Sequence, residues 1–177
     1  MSALVRLYSV RKLPVGRLSI MPHPRGGDHL ATEMQELYFE GVDILVSLLT
    51  SGEVSELALQ NEAEICQSQG MIYCTYPIQD HSVPPFSADT IALLEDLTSA
   101  LAQGKHVAVH CWMGLGRSAL IAASVLVLSG FTPEKACKLL SSARGYNVPE
   151  REEQCDWVRA FPRRYQAYLA ELQGDAL

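Results

Sequence analysis

An α/β fold with a mostly parallel central sheet of about four to five strands, flanked by helices, is what this sequence predicts. Three observations carry that reading. Short apolar runs alternate with longer stretches of helical periodicity, glycines stand where those helices should stop, and three helical patterns in succession close the chain.

Each element has its own justification. Residues 17–20 form a short strand and 31–40 a helix, after which 42–48 reads as a buried strand. A helix over 54–68 leads through Gly70 to a strand over 71–76. Over 87–103, Ile91, Leu94, Leu97 and Leu101 recur at helical spacing and Gly104 ends the run. Val107, Ala108 and Val109 make 105–110 a short central strand. The helix over 117–129 is nearly continuous in apolar residues, as a buried helix should be, and stops at Gly130. Pro133 opens a helix over 133–143, and a polar-rich one spans 150–172. The first 15 residues, 1–15, receive no assignment.

Composition narrows the classes. With 177 residues, 48% hydrophobic and 19% charged, the chain fills one core, so 1–177 is read as a single domain. Arg6, Arg11 and Lys12 interrupt the N-terminal apolar residues, and no run approaches the ~18 apolar residues of a membrane span; a cytoplasmic, monomeric protein without a membrane partner is the expectation. A net charge of −6 argues against nucleic acid as a partner. The five cysteines contain no C-x-x-C pair and, with five scattered histidines, no zinc spacing; no metal or cofactor is expected.

The residues from His110 to Ser118 set a thiol, two glycines, a guanidinium and a hydroxyl on one loop between a strand end and a helix start. Backbone N–H groups of Trp112, Met113, Gly114, Leu115, Gly116 and Arg117 would form an anion nest, reinforced by the helix dipole. In that setting Cys111 is the nucleophile, because the dipole and Arg117 favour the thiolate that attacks phosphorus. Arg117 offers a planar fork for two phosphoryl oxygens. Gly114 and Gly116 suit close approach of the backbone, and Ser118 can donate a hydrogen bond to the sulfur when it departs. Residues 114–119 also satisfy the dinucleotide pattern G-x-G-x-x-A, but Glu134 stands at a helix start rather than at the end of a second strand. The triphosphate loop G-x-x-x-x-G-K-[ST] lacks its Lys after Gly116.

The loop resembles the signature H-C-x-x-G-x-G-R-S of the cysteine-dependent protein phosphatases, in particular the small dual-specificity and kinase-associated-phosphatase-like members. The resemblance implies a protein tyrosine phosphatase-like fold, no cofactor, and a phosphoprotein substrate carrying phosphotyrosine, with phosphoserine or phosphothreonine also admitted. It further implies a general acid upstream, and Tyr76-Pro77-Ile78-Gln79-Asp80 is similar to the family's P-I-x-D segment, which makes Asp80 that acid. His81 is a substitute acid or a solvated loop residue. Gln154 is similarly placed to a glutamine that orients the hydrolytic water, or else belongs to the exposed face of its helix. Arg144 looks like a position that buttresses the site or meets a second anion, or is an exposed charge at a helix end. Trp112, Met113 and Leu115 add no cation, which weighs against highly phosphorylated inositides, although Arg25, Arg144 or the N-terminal segment can supply one. A phosphate-reading binding module, a small-phosphate-ester or phosphoinositide phosphatase, and a sulfurtransferase or arsenate-reducing enzyme are the alternatives.

Overall fold

The computed structural model describes residues 5–175. At its centre is β5, His106–His110, buried at every position because strands pair with it on both sides. The strands β1 (Tyr8–Ser9), β2 (Arg17–Met21), β3 (Ile44–Ser47) and β4 (Ile72–Thr75) complete a sheet of order β1-β2-β5-β3-β4. All pairs are parallel except β1 with β2. His110 lies level with Met21 of β2 and Ser47 of β3, so three strands end together at one edge. In such sheets ligands bind outside the carboxyl ends of the strands.

Strand side chains alternate between two cores. Leu18, Ile20, Ile44, Val46, Val107 and Val109 face α4 (Ala88–Ala102), α5 (Arg117–Leu128), α6 (Pro133–Arg144) and α7 (Glu152–Gly174). Met21, Leu45 and Ala108 face α1 (Leu30–Phe39) and α3 (Glu62–Ser68). In α5, ten of the twelve residues are buried, which explains its lack of a polar stripe and pins its N-terminus under the β5 edge. Burying each of its Leu, Ile or Val side chains contributes roughly 1.5–3 kcal/mol. Capping agrees with the pattern: Thr132 accepts from the Lys135 amide at the start of α6, and Gly145 ends it in the left-handed conformation.

Two expectations are corrected. The helix expected over 54–68 is two helices, α2 (Ser51–Glu56) and α3, separated at Ala58, whose φ is +54°. Local bonds from the Ala58 amide to Ser55 and the Leu59 amide to Val54 close the turn, and the amide of Gly27 donates to the Ala58 carbonyl at 3.0 Å. The N-terminal segment left unassigned contributes β1, held to the sheet by Ser9 Oγ to Ser19 Oγ and Ser19 Oγ to His106 Nε2 contacts of 2.7 Å each. Residues 1–4 of that segment lie outside the described residues.

Candidate active site

Cys111 follows β5 directly and is 3% exposed; Ser118, on the first turn of α5, lies behind it with Oγ 3.3 Å from the sulfur. Between them the loop is held from outside. His23 N donates to the Trp112 carbonyl at 3.0 Å, Arg144 Nη2 to Met113 at 3.2 Å, Arg144 Nε to Gly114 at 3.3 Å, and Glu150 N to Leu115 at 3.0 Å. In a trans peptide the N–H points opposite to its C=O. The amides of Met113, Gly114, Leu115 and Gly116 therefore turn inward, where no backbone acceptor meets them among the described residues. Gly114 has φ +72°, and a Cβ there would lie 2.7 Å from the Met21 carbonyl carbon; both conformation and space demand glycine.

Arg117 is 2% exposed, and its donors can be counted. Nη1 donates to Glu53 Oε2 and to the Ile78 carbonyl, both at 2.8 Å, and Nη2 donates to Glu53 Oε1 at 2.8 Å. Nη2 also stands 3.1 Å from Asp80 Oδ1. The terminal fork is thus occupied by Glu53, and the side of the guanidinium carrying Nε–H is the side left for an anion. Burial opposes the charge on Arg117, but the Glu53 hydrogen bonds, with Cys111 and Asp80 nearby, raise its pKa further, so it is a fixed cation. Burial likewise pushes the Glu53 carboxyl up, yet Arg117 and the Thr50 amide and hydroxyl together hold it below the usual carboxylate range. Glu53 occupies this position as the third helical residue of a capping box, its side chain accepting from the Thr50 amide at 2.8 Å.

Asp80 sits on the loop after β4, with its side chain 49% exposed. Arg151 Nη2 donates to His81 Nδ1 at 2.9 Å; since a guanidinium cannot accept, the His81 proton is on Nε2, 3.3 Å from Asp80 Oδ2. His81 is thus a solvated loop residue, its side chain 52% exposed, that stands between Arg151 and Asp80. Gln154 is fully buried, which overturns the exposed-face reading: Nε2 donates to the Ser82 carbonyl at 3.2 Å, and a Cβ on Gly116 would come within 2.8 Å of Oε1. Arg144 is bound to the loop carbonyls and packs its guanidinium 4.1 Å from the centre of the Tyr8 ring, so it buttresses the loop.

Asp80, Cys111, Trp112, Met113, Leu115, Gly116, Arg117 and Gln154 line one cavity of about 430 Å³. Gly114 and Ser118 do not; they support it from outside and below. Glu53, Glu56, His81 and Glu150 complete the lining. Of these, Glu53 had a signal in the Thr50-x-x-Glu53 cap pattern, while Glu56 and Glu150 had none.

Behind the nucleophile lies a buried polar network. His110 Nε2 is 2.6 Å from Glu62 Oε1, with both side chains 1% exposed or less, and Tyr73 donates its hydroxyl to Glu62 Oε2 at 3.0 Å. The other cysteines differ from Cys111 in setting. Burial, with Glu62 adding, pushes the Cys66 thiol up to about 12, and burial, with Cys155 adding, takes Cys137 to about 11. Burial is also the first cause of the upward shifts at Cys74 and Cys155. A thiol so shifted stays protonated at neutral pH and is a poor nucleophile.

A thiol over inward amides, a cation at its side and a carboxyl at the mouth can transfer a phosphoryl group to sulfur and on to water. Comparison with known proteins bears on this. Residues 27–137 match the family described as Cyclin-dependent kinase inhibitor 3 (CDKN3). The chain is 30% identical over 140 residues to the Homo sapiens protein of that name, covering 78% of this chain and 66% of the other. It is 26% identical over 144 residues to the Rattus norvegicus one, covering 80% and 68%. The chain thus spans about two thirds of the length of these curated relatives. A "Putative tyrosine phosphatase 197R" of Invertebrate iridescent virus 6 is 29% identical over 157 residues, covering 85% and 54%. Among solved structures, a kinase associated phosphatase carrying serine in place of its catalytic-site cysteine superposes with a TM-score of 0.84 at 23% identity, covering 94% of this chain and 99% of that one. The active form of Tk-PTP superposes at 0.70 with 21% identity, covering 93% and 99%. At those identities the likeness is one of fold.

Proposed function

The chain belongs to the Cyclin-dependent kinase inhibitor 3 family, and on that premise we propose that it is a cysteine-dependent protein phosphatase of dual specificity, hydrolysing phosphate monoesters through a phosphocysteine. The observation that carries the reading is the single cavity in which Cys111, Arg117 and Asp80 meet.

In the first step the Cys111 thiolate attacks phosphorus in line with the leaving oxygen. The inward amides of residues 113–116 and the free Nε side of Arg117 hold the equatorial oxygens, where they act on charge that is already in place and need no reorganisation. Asp80, neutral at this point, gives its proton to the departing alkoxide or phenoxide as the P–O bond breaks. A phosphocysteine and a free alcohol result. Water then attacks phosphorus; Asp80, now a carboxylate, takes the proton, and Gln154 orients the water from its place against Gly116. The S–P electron pair returns to Cys111, which Ser118 stabilises by donating a hydrogen bond.

The substrate is a phosphoprotein, as the relatives' names suggest: kinase associated phosphatase and tyrosine phosphatase are the descriptions attached to proteins of like fold or sequence. Hydrolysis of an aryl phosphate, abolished in Cys111→Ser while phosphate binding is kept, is the expected outcome. A binding module would show no turnover, and near-wild-type turnover by Cys111→Ser would remove Cys111 from the role of nucleophile. Release of thiocyanate from thiosulfate and cyanide, or reduction of arsenate, at rates above phosphate release would favour the other chemistries available to a cysteine in an anion nest.

A further inference from the structure

The mouth of the cavity carries a charge pattern that its floor does not explain. Four carboxylates line the cavity, Glu53, Glu56, Asp80 and Glu150, against one guanidinium, Arg117. Glu53 already pairs with Arg117 through both its oxygens. Glu56, near the end of α2, and Glu150, just before α7, are exposed, and among the described residues neither has an ionic or hydrogen-bonded side-chain partner. Of the cations elsewhere in the fold, Arg25 is paired with Glu33, while Arg144, held by the Met113 and Gly114 carbonyls, and Arg151, held by His81, sit on neutral acceptors and keep their charge; neither lines the cavity or pairs with Glu56 or Glu150 among the described residues. A phosphate dianion passes two carboxylates that no cation pairs directly among the described residues to reach Cys111, on a chain whose net charge is already −6.

Resting on the phosphatase reading above, we infer that Glu56 and Glu150 are specificity determinants that select phosphoprotein segments with Lys or Arg beside the phosphorylated residue. A cation flanking the phosphoresidue turns the repulsion at the mouth into attraction, while a second phosphate or an acidic flank adds to it. The same logic makes multiply phosphorylated inositides poor substrates. The carboxylates are exposed, so each acts through screened electrostatics, changing relative rates by about two- to five-fold, and their effects add if they do not touch.

The experiment compares kcat/KM on two phosphotyrosine peptides of one length, one flanked by Lys and Arg and one by Asp and Glu, with p-nitrophenyl phosphate alongside. The enzymes are wild type, the double variant Glu56→Gln with Glu150→Gln, and the double variant Glu56→Lys with Glu150→Lys. Wild type is expected to prefer the basic peptide by about ten-fold at low salt, with the ratio shrinking as salt is raised. The Gln pair brings the ratio toward unity and the Lys pair inverts it. Equal rates on the two peptides, a preference for the acidic one, or a ratio that ignores the substitutions overturns the inference. Turnover of p-nitrophenyl phosphate in those cases leaves the phosphatase reading standing; no turnover of any substrate by wild type overturns that reading and this inference together.

Discussion

The floor and the rim of the cavity are built on opposite principles. On the floor each polar side chain is held by a partner: His110 has Glu62, Glu62 has Tyr73, Arg117 has Glu53 and Ile78, and Cys111 has Ser118. At the rim Glu56 and Glu150 stand exposed without side-chain partners among the described residues, and Met113 is 55% exposed. Groups whose position is overdetermined suit a reaction that tolerates little displacement, whereas groups free in water suit the choice among substrates. Asp80 belongs to neither class alone. Half exposed, it reaches down to Arg117 and is tied sideways to His81.

The contrast breaks first where a floor partner is removed. Glu62→Ala leaves buried His110 and the part-buried Tyr73 hydroxyl without their acceptor, and an expected loss of about 1–3 kcal/mol of stability should appear as a lower midpoint in urea. Glu62→Gln, which keeps an acceptor, should lose less. An unchanged midpoint for Glu62→Ala would mean that the floor is not held by this network.

Asp80→Ala tests the group that joins floor to rim. Its stability should stay within about 0.5 kcal/mol of wild type, as for other exposed positions. Its kcat/KM should fall by about 100-fold or more on alkyl phosphates and much less on aryl phosphates with good leaving groups. An equal fall on all leaving groups would contradict the acid role.

A smaller effect comes from pH. The folded pKa of Glu53 lies below its ordinary value of 4.5, so the stability it contributes is fully present above that value and is lost as pH falls through the lower, folded one. Urea midpoints of wild type and Glu53→Gln should therefore differ near neutrality and converge in that acid window. A gap that stays constant as pH falls would detach Glu53 from the stability of the floor.

What was legible in the sequence follows the same division by range. The nucleophile loop is local, nine consecutive residues running from the last of β5 to the first turn of α5, and its glycines, thiol and guanidinium are legible by their spacing. The sheet is legible because most of its strands are short apolar runs set between helical patterns. Asp80 carried no distinguishing local signal and was named through resemblance, since its meaning depends on Arg117, 37 positions away. Gln154 was ambiguous because the start of α7 is polar on every side and only packing against Gly116 separates it from its neighbours. Glu62 pairs across 48 positions, a distance at which periodicity says nothing. The break at Ala58 has no signal in the sequence because residues 57–61 contain neither Gly nor Pro, and the Ala58 carbonyl is met by the distant amide of Gly27. The two-residue strand β1 is too short to show alternation.

The proposed reaction passes the phosphoryl group through sulfur at the floor of the cavity. Its most direct test is acid quenching of the enzyme during turnover of an aryl phosphate, followed by mass analysis of the peptide bearing Cys111. The predicted result is one phosphoryl group on Cys111, enriched in Asp80→Ala because its second step lacks a base, and absent in Cys111→Ser. Steady turnover with no phosphoryl group on Cys111, or the same labelled peptide from Cys111→Ser, would contradict it.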